Sequence, residues 1–136
     1  MVAYTFQKLS NELIYIRWEK TPSDKEREAF LTDMQRTLDE AEGNIYIISD
    51  LRKGRISDLQ VLRQLVQILL RSDKYSGGCS FSSDSKTKAI AGVFAKIAGT
   101  QNVRDKDCET AEEALAFLES LKEGITKDID WENVLQ

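Results

Sequence analysis

Hydrophobic and polar residues alternate along this chain in a repeated unit: a short apolar strand, a turn and a capped amphipathic helix. The unit occurs four times between Leu13 and Gly124, after a first strand at 3–8 that pairs with 13–18 as a hairpin across Asn11. Strands that alternate with helices in this way form a mostly parallel sheet. The pattern therefore predicts an α/β fold with a leading hairpin followed by four strand-helix units.

The predicted helices are recognised by the residues that begin and end them. Three begin with the spacing of a capping box, in which a hydroxyl and an acid or amide three residues later satisfy each other's backbone N–H groups. These pairs are Ser23 with Glu26, Ser57 with Gln60 and Thr110 with Glu113. A third helix is predicted from 83 to 99 and a fourth from 110 to 124, each ending at a glycine.

The predicted strands differ in how apolar they are. Residues 45–51 are apolar toward both faces, as in a strand at the middle of a parallel sheet. Residues 78–82 are apolar on one side, and 103–108 are mostly charged, as in an edge strand. Hydrophobicity thus predicts that 45–51 lies at the middle of the sheet and 103–108 at its edge.

One face of the predicted sheet needs a cover. Right-handed crossovers place the helices between successive parallel strands on the same face, which leaves the opposite face to the first helix, the C-terminal tail, a second subunit or an apolar ligand. The tail, residues 125–136, carries apolar residues among acids: Ile129, Trp131, Val134 and Leu135. We expect a single domain, 1–136, whose tail docks on that domain or on a neighbour.

The second predicted helix has an unusually wide apolar face. Part of this face is expected to contact a second copy of the chain, because most soluble oligomers are symmetric dimers. The residues proposed for this homodimer contact are Leu62, Val66, Leu69 and Leu70, with the Trp131 tail as the alternative.

Composition argues against several classes of function. The chain has 136 residues, a net charge of -4 and no histidine. An acidic chain argues against sequence-independent nucleic-acid binding, and no apolar run reaches the roughly 20 residues that a membrane span requires. The missing histidine removes the commonest general base and most zinc sites, and the standard nucleotide-binding glycine motifs are missing as well. We therefore expect no catalytic residue, no metal and no cofactor.

The thiols indicate a compartment. Cys79 and Cys108 form no CxxC pair, and no signal peptide precedes the first strand. A cytoplasmic protein with reduced thiols is expected.

Three segments carry a resemblance to a known family: LIYIRW at 13–18, IYIISDLR at 45–52 and AEEALAFL at 111–118. They resemble the STAS domain of anti-sigma-factor antagonists, and more narrowly the bacterial SpoIIAA-like proteins. The resemblance covers nearly the whole chain and implies a SpoIIAA-like fold with a regulatory, protein-binding role. The family's signature is an Asp-Ser-Ser/Thr-Gly run at the start of the second helix, where a partner kinase phosphorylates the first hydroxyl residue. This chain lacks that run, since residues 51–56 separate Asp50 from Ser57 and no glycine follows.

The carboxyl ends of parallel strands are where ligands bind in open α/β sheets, because loops and helix N-termini meet there. Polar residues at this edge are the candidates for anion binding or for accepting a phosphate: Asp50, Arg52, Arg55, Ser57, Ser85 and Lys86. A structural interpretation competes with this one. In it, Ser57, Ser85 and Thr110 cap helices, and the carboxylate of Asp50 pairs with Arg52 or Arg55.

Three functions follow from these observations. The first is a non-enzymatic cytoplasmic regulatory or protein-interaction module of STAS-like type. The second is a binding protein for a small apolar or lipid-like ligand, because one sheet face needs a cover and CRAL-TRIO lipid-transfer domains have a similar arrangement. The third is an enzyme on an anionic substrate, using Asp50, Arg52, Arg55 and Lys86.

Overall fold

The structure, a computed structural model, describes residues 3–84, 86–87, 89–90, 92 and 104–136. Within these residues, five strands form one sheet in the order β1-β2-β3-β4-β5. The strands are β1 (Tyr4–Lys8), β2 (Leu13–Trp18), β3 (Ile45–Asp50), β4 (Tyr75–Phe81) and β5 (Asp105–Cys108). The first pair is antiparallel and the others are parallel, which confirms the leading hairpin and the mostly parallel sheet.

Helices connect and cover these strands. Those whose bounds lie within the described residues are α1 (Asp24–Glu40), α2 (Leu59–Arg71), α3 (Ala111–Leu121) and the short α4 (Trp131–Val134). The predicted capping box of α1 is confirmed, because the Ser23 side chain accepts from the N–H of Glu26 and the Glu26 side chain accepts from the N–H of Ser23.

Two apolar cores lie on opposite faces of the sheet, because successive residues of a strand point to opposite sides. Ile14 and Ile47 belong to the core under α1 and α2, whereas Tyr15 and Ile48 belong to the core under α3 and the tail. The cover of the second face is therefore α3 together with the tail, not α1. Because no strand follows α3, the crossover rule does not hold it to the face of the other helices.

The start of α2 corrects one prediction. Its N-cap is Asp58 rather than Ser57, since the Asp58 carboxylate accepts from the backbone N–H groups of Gln60 and Val61 at 2.9 and 3.2 Å. Ser57 is exposed and lies one residue before the cap. Serine and aspartate are both good caps, so spacing alone chose the wrong one of two adjacent residues.

The proposed dimer surface on α2 is also corrected. Leu62, Val66 and Leu69 are buried within the domain, because they lie on the stripe of α2 that faces the sheet. Leu70 is 51% exposed. The homodimer stays a prediction, but those three buried leucine and valine side chains are not available to form its surface.

Strand β4 begins three residues earlier than predicted, at Tyr75 instead of Gly78. Its glycines resemble a turn in sequence, but here they make room for the start of β5. A Cβ on Gly77 would lie 2.8 Å from the carbonyl oxygen of Arg104, and the φ of Gly77 is +145°. The glycine pair thus marks a close approach of two backbones inside the sheet.

The third predicted helix falls largely on residues outside the described part of the chain. Its described members are helical: Lys86, Thr87, Ala89, Ile90 and Gly92. Ser85, the apolar residues predicted at 93, 94 and 97, the end at Gly99 and the start of the fifth strand at Val103 lie outside the described residues.

The cap of α2 gives a direct test of this local structure. We expect Asp58→Ala to lower the free energy of unfolding by about 1 kcal/mol, because two N–H groups at the helix start lose their acceptor. Ser57→Ala is expected to change it by less than about 0.5 kcal/mol. Urea unfolding followed by circular dichroism measures both, and an equal loss in the two variants would contradict the observed cap.

Candidate functional site

A buried acid lies at the carboxyl end of the central strand. Asp50 ends β3 and is only 2% exposed. It pairs in register with Arg17 on β2 and with Phe81 on β4. Alternation along β3 puts its side chain on the sheet face of α3 and the tail, the same face as Tyr15 on β2.

Side chains from one neighbouring strand and one loop converge on the Asp50 carboxylate. The Tyr15 hydroxyl donates to Oδ2, and Arg17 Nε donates to the same oxygen and to the Tyr15 hydroxyl, each at 3.2 Å. Arg52 donates from its backbone N and from Nε to Oδ1, at 3.1 and 2.9 Å, and from Nη2 to Oδ2 at 2.7 Å. We call these four residues, Tyr15, Arg17, Asp50 and Arg52, the Asp50 centre.

The electrostatics of the Asp50 centre fix its protonation at neutral pH. Burial raises the pKa of Asp50, but hydrogen bonds from Arg52 and Tyr15 favour the charged form, so the net pKa is lowered. Burial, together with the hydrogen bond to Asp50, raises the pKa of Tyr15 to about 12. Asp50 is therefore an ionised anchor for its neighbours, with a pKa far from that of a group poised for proton transfer near neutral pH.

The tail ends directly on the Asp50 centre. Arg17 Nη2 donates to the backbone oxygen of Val134 at 3.0 Å, and Arg52 Nη2 donates to that of Leu135 at 2.8 Å. The Arg52 guanidinium also lies 5.3 Å from the centre of the Phe81 ring. The two arginines thus connect a buried acid to the C-terminal segment of the chain.

Of the other predicted residues, those that the structure describes make no hydrogen bond or ion pair with this centre. Arg55 Nη1 is 3.9 Å from Asp84 Oδ2, so Arg55 is not the partner of Asp50. Asp84 also accepts from the backbone N and the hydroxyl of Thr87, at 3.0 and 2.9 Å, which is the pattern of a helix cap. Ser57 and Lys86 are exposed, and Ser85 lies outside the described residues.

The sequence did not identify Tyr15 and Arg17 as candidate site residues. Their alternation in LIYIRW does place both on one face of β2, near its carboxyl end. That signal becomes specific only when β2 is known to pair with β3, because register is what sets Arg17 opposite Asp50.

The exposed part of this edge is the loop from Lys53 to Asp58, together with the first turn of α2. A Cβ on Gly54 would lie 2.4 Å from the backbone oxygen of Lys20, so this loop packs closely on the end of β2. Lys53 and Leu59 face solvent, with the Lys53 side chain 65% exposed and Leu59 53% exposed. We call this loop and first turn the α2 entry surface.

The described part of the chain contains neither a cluster of metal-ligating side chains nor a helix that could span a membrane. No group of three or more Cys, Asp and Glu is arranged there to hold a metal ion. Across the same residues, every helix is too short or too polar to cross a membrane.

Comparison with known proteins identifies the fold. No protein-family model and no curated protein matches the chain. Among solved structures, the fold is similar to the one described as "Structure of the Anti-Sigma Factor Antagonist SpoIIAA in its Unphosphorylated Form", with a TM-score of 0.61. Sequence identity is 12%, and the match covers 87% of this chain and 97% of that chain. The STAS-like fold implied by the sequence resemblance is confirmed.

The Asp50 centre gives a stability prediction. We expect Asp50→Asn to lower the free energy of unfolding by about 3 kcal/mol, because the change leaves Arg17 and Arg52 without their shared counter-charge in a largely buried setting. Urea unfolding near neutral pH measures the loss.

A matched control is available on the surface. Asp33 is bound by Tyr4 and Arg36 in the same way as Asp50 is bound by Tyr15 and Arg52, but the Asp33 side chain is 30% exposed. Asp33→Asn is therefore expected to lower the free energy of unfolding by less than about 1 kcal/mol.

The stabilisation by Asp50 also depends on pH. Because the folded pKa of Asp50 lies below its ordinary value of 3.8, the stabilisation is present above that pH and is lost as the pH falls further. The difference in free energy of unfolding between wild type and Asp50→Asn should therefore become smaller at acid pH. A difference that does not change with pH would contradict the role given to the Asp50 carboxylate.

Proposed function

We propose that this chain is a non-enzymatic cytoplasmic protein-interaction module of STAS-like type, whose partner binds the α2 entry surface. The fold supports this, because the similar solved structure is of an antagonist of an anti-sigma factor, named for its action on another protein. Fold alone hosts many functions, so the proposal depends on the surface described next.

The observation that carries the proposal is the half-exposed Leu59 beside a basic loop. Leu59 is 53% exposed at the first position of α2, and the Lys53 side chain in the preceding loop is 65% exposed. Protein interfaces combine apolar anchors with a polar rim. A partner with an apolar side chain and acidic neighbours would fit this surface.

The chemistry of the Asp50 centre supports a role without catalysis. Both carboxylate oxygens of Asp50 accept hydrogen bonds, and the two arginines that bind it also hold the tail. An anionic substrate would have to displace these contacts. The Asp50 centre is better suited to a structural role, in which it fixes the positions of the loop and the tail at this edge of the sheet.

The alternative function, binding of an apolar or lipid-like ligand, loses the surface that motivated it. Within the described residues, α3 and the tail pack on the sheet face that would have received such a ligand. The enzyme alternative likewise loses support, since Asp50 is bound by Arg52 whereas Arg55 lies beside Asp84 and Lys86 is exposed to solvent.

Two leucines on one helix test the partner surface. Leu59→Asp is expected to reduce capture of the partner by at least about tenfold, because a charge replaces the central apolar contact of the interface. Leu70→Asp, at the other end of α2 and 51% exposed, is the matched control and should retain capture within about twofold. Tagged wild type and both variants are compared by quantitative mass spectrometry of complexes from the native source.

Folding of each variant is checked by its thermal transition. Enrichment of the same protein by wild type and Leu70→Asp, but not by Leu59→Asp, supports the proposal. Equal capture by all three chains would contradict the α2 entry surface, and turnover of a substrate by the purified chain would contradict the non-enzymatic role.

A further inference from the structure

The tail of this chain has the form of a short amphipathic helix docked on a sheet face. Asp130 caps α4 by accepting from the backbone N of Asn133 at 3.3 Å. Trp131, Val134 and Leu135 follow the i, i+3, i+4 spacing of a helix that lays one apolar side into a groove. All three are partly buried against the core that contains Tyr15 and Phe81.

The sheet edge provides donors for the end of this helix. The last backbone carbonyls of a helix have no N–H partner within the helix and need donors from elsewhere. Here Arg17 and Arg52 supply them, to Val134 and Leu135. The edge thus recognises a helix terminus through main-chain oxygens, a contact that does not depend on the identity of the side chains there.

The two guanidinium groups are positioned without help from the tail. Arg52 makes three hydrogen bonds to Asp50, and Arg17 makes one to Asp50 and one to the Tyr15 hydroxyl. Asp50 itself is fixed at the end of the central strand and is buried. If the tail left, these bonds would keep the remaining donors aimed at the same place, so the site is preformed.

The occupant, by contrast, is attached lightly. No residue of α4 is buried, and the described contacts that fasten its end are the two arginine bonds and partial apolar packing. Segments with few buried contacts are the ones that open locally while the rest of a domain stays folded.

We propose that this face, formed by Arg17, Arg52, Tyr15 and Phe81, is a peptide-binding site for a short amphipathic helix of a partner protein. The helix it fits has apolar side chains at the spacing of Trp131, Val134 and Leu135 and unpaired carbonyls at its C-terminal end. The chain's own tail is a tethered competitor for the site, favoured by its high local concentration. This site lies on a different surface from the α2 entry surface and does not depend on the proposed function.

The test uses the tail itself as the probe, as an acetylated, fluorescein-labelled peptide of residues 126–136 (TKDIDWENVLQ). The receptor is the full chain carrying Trp131→Ala and Leu135→Ala, which weakens the competing tail and leaves the site unchanged. Fluorescence anisotropy is expected to show binding at least about tenfold tighter than to the wild-type chain, whose tail competes. Adding Arg52→Gln to the receptor should weaken binding by at least about tenfold, and a scrambled peptide should not bind.

The outcomes are decisive in either direction. Binding that depends on Arg52 supports the site. No saturable binding to a receptor with a cooperative thermal transition overturns it, as does binding that Arg52→Gln leaves unchanged. A wild-type dimer that the peptide converts to monomer would overturn the partner assignment in favour of a second copy of the chain.

A second measurement covers the case in which the double variant does not fold. In the wild-type background, Arg52→Gln alone should raise the amide hydrogen exchange of Leu135 by at least about tenfold, because one of the two fasteners is lost. Unchanged exchange at Leu135 would overturn the proposal without any peptide.

Discussion

A carboxylate buried at the end of a central strand must be compensated, because removing a charge from water costs several kcal/mol. In this chain the compensation of Asp50 comes from the adjacent strand, through Tyr15 and Arg17, and from the following loop, through Arg52. Each of these groups is thereby fixed in direction. Since both arginines also bind backbone oxygens of the tail, the docking of the tail on the second sheet face depends on a single acid.

Because Arg52 is bound to the buried Asp50, the loop that carries it contributes to two different surfaces of the domain. Arg52 turns inward to Asp50 and the tail, while Lys53 and Leu59, farther along the same loop and helix, face solvent. The close packing of Gly54 on Lys20 holds the loop where this division occurs. A STAS-like fold thus carries one open apolar and basic surface and one that its own tail occupies.

Much of the fold could be predicted because its signals are local. The apolar run of β3 predicted a central strand, and the spacing of Ser23 and Glu26 predicted the start of α1. The choice between Ser57 and Asp58 failed because two adjacent capping residues give equivalent local patterns.

The Asp50 centre was only half predictable for a different reason. Asp50 and Arg52 are two residues apart, so their pairing was among the alternatives, but Tyr15 reaches Asp50 across 35 positions in the chain. That contact exists only through strand register, and the arginine bonds to the tail exist only through the packing of α3 and α4 on the second face. Local periodicity carries neither piece of information.

We infer that Asp50, by orienting Arg17 and Arg52, fastens the tail. Amide hydrogen exchange of residues 131–136 in Asp50→Asn, with Asp33→Asn as the control, measures this fastening. We expect faster exchange of the tail in Asp50→Asn, with α1 still protected and with the tail unchanged in the control. Equal protection of the tail in wild type and Asp50→Asn would contradict it.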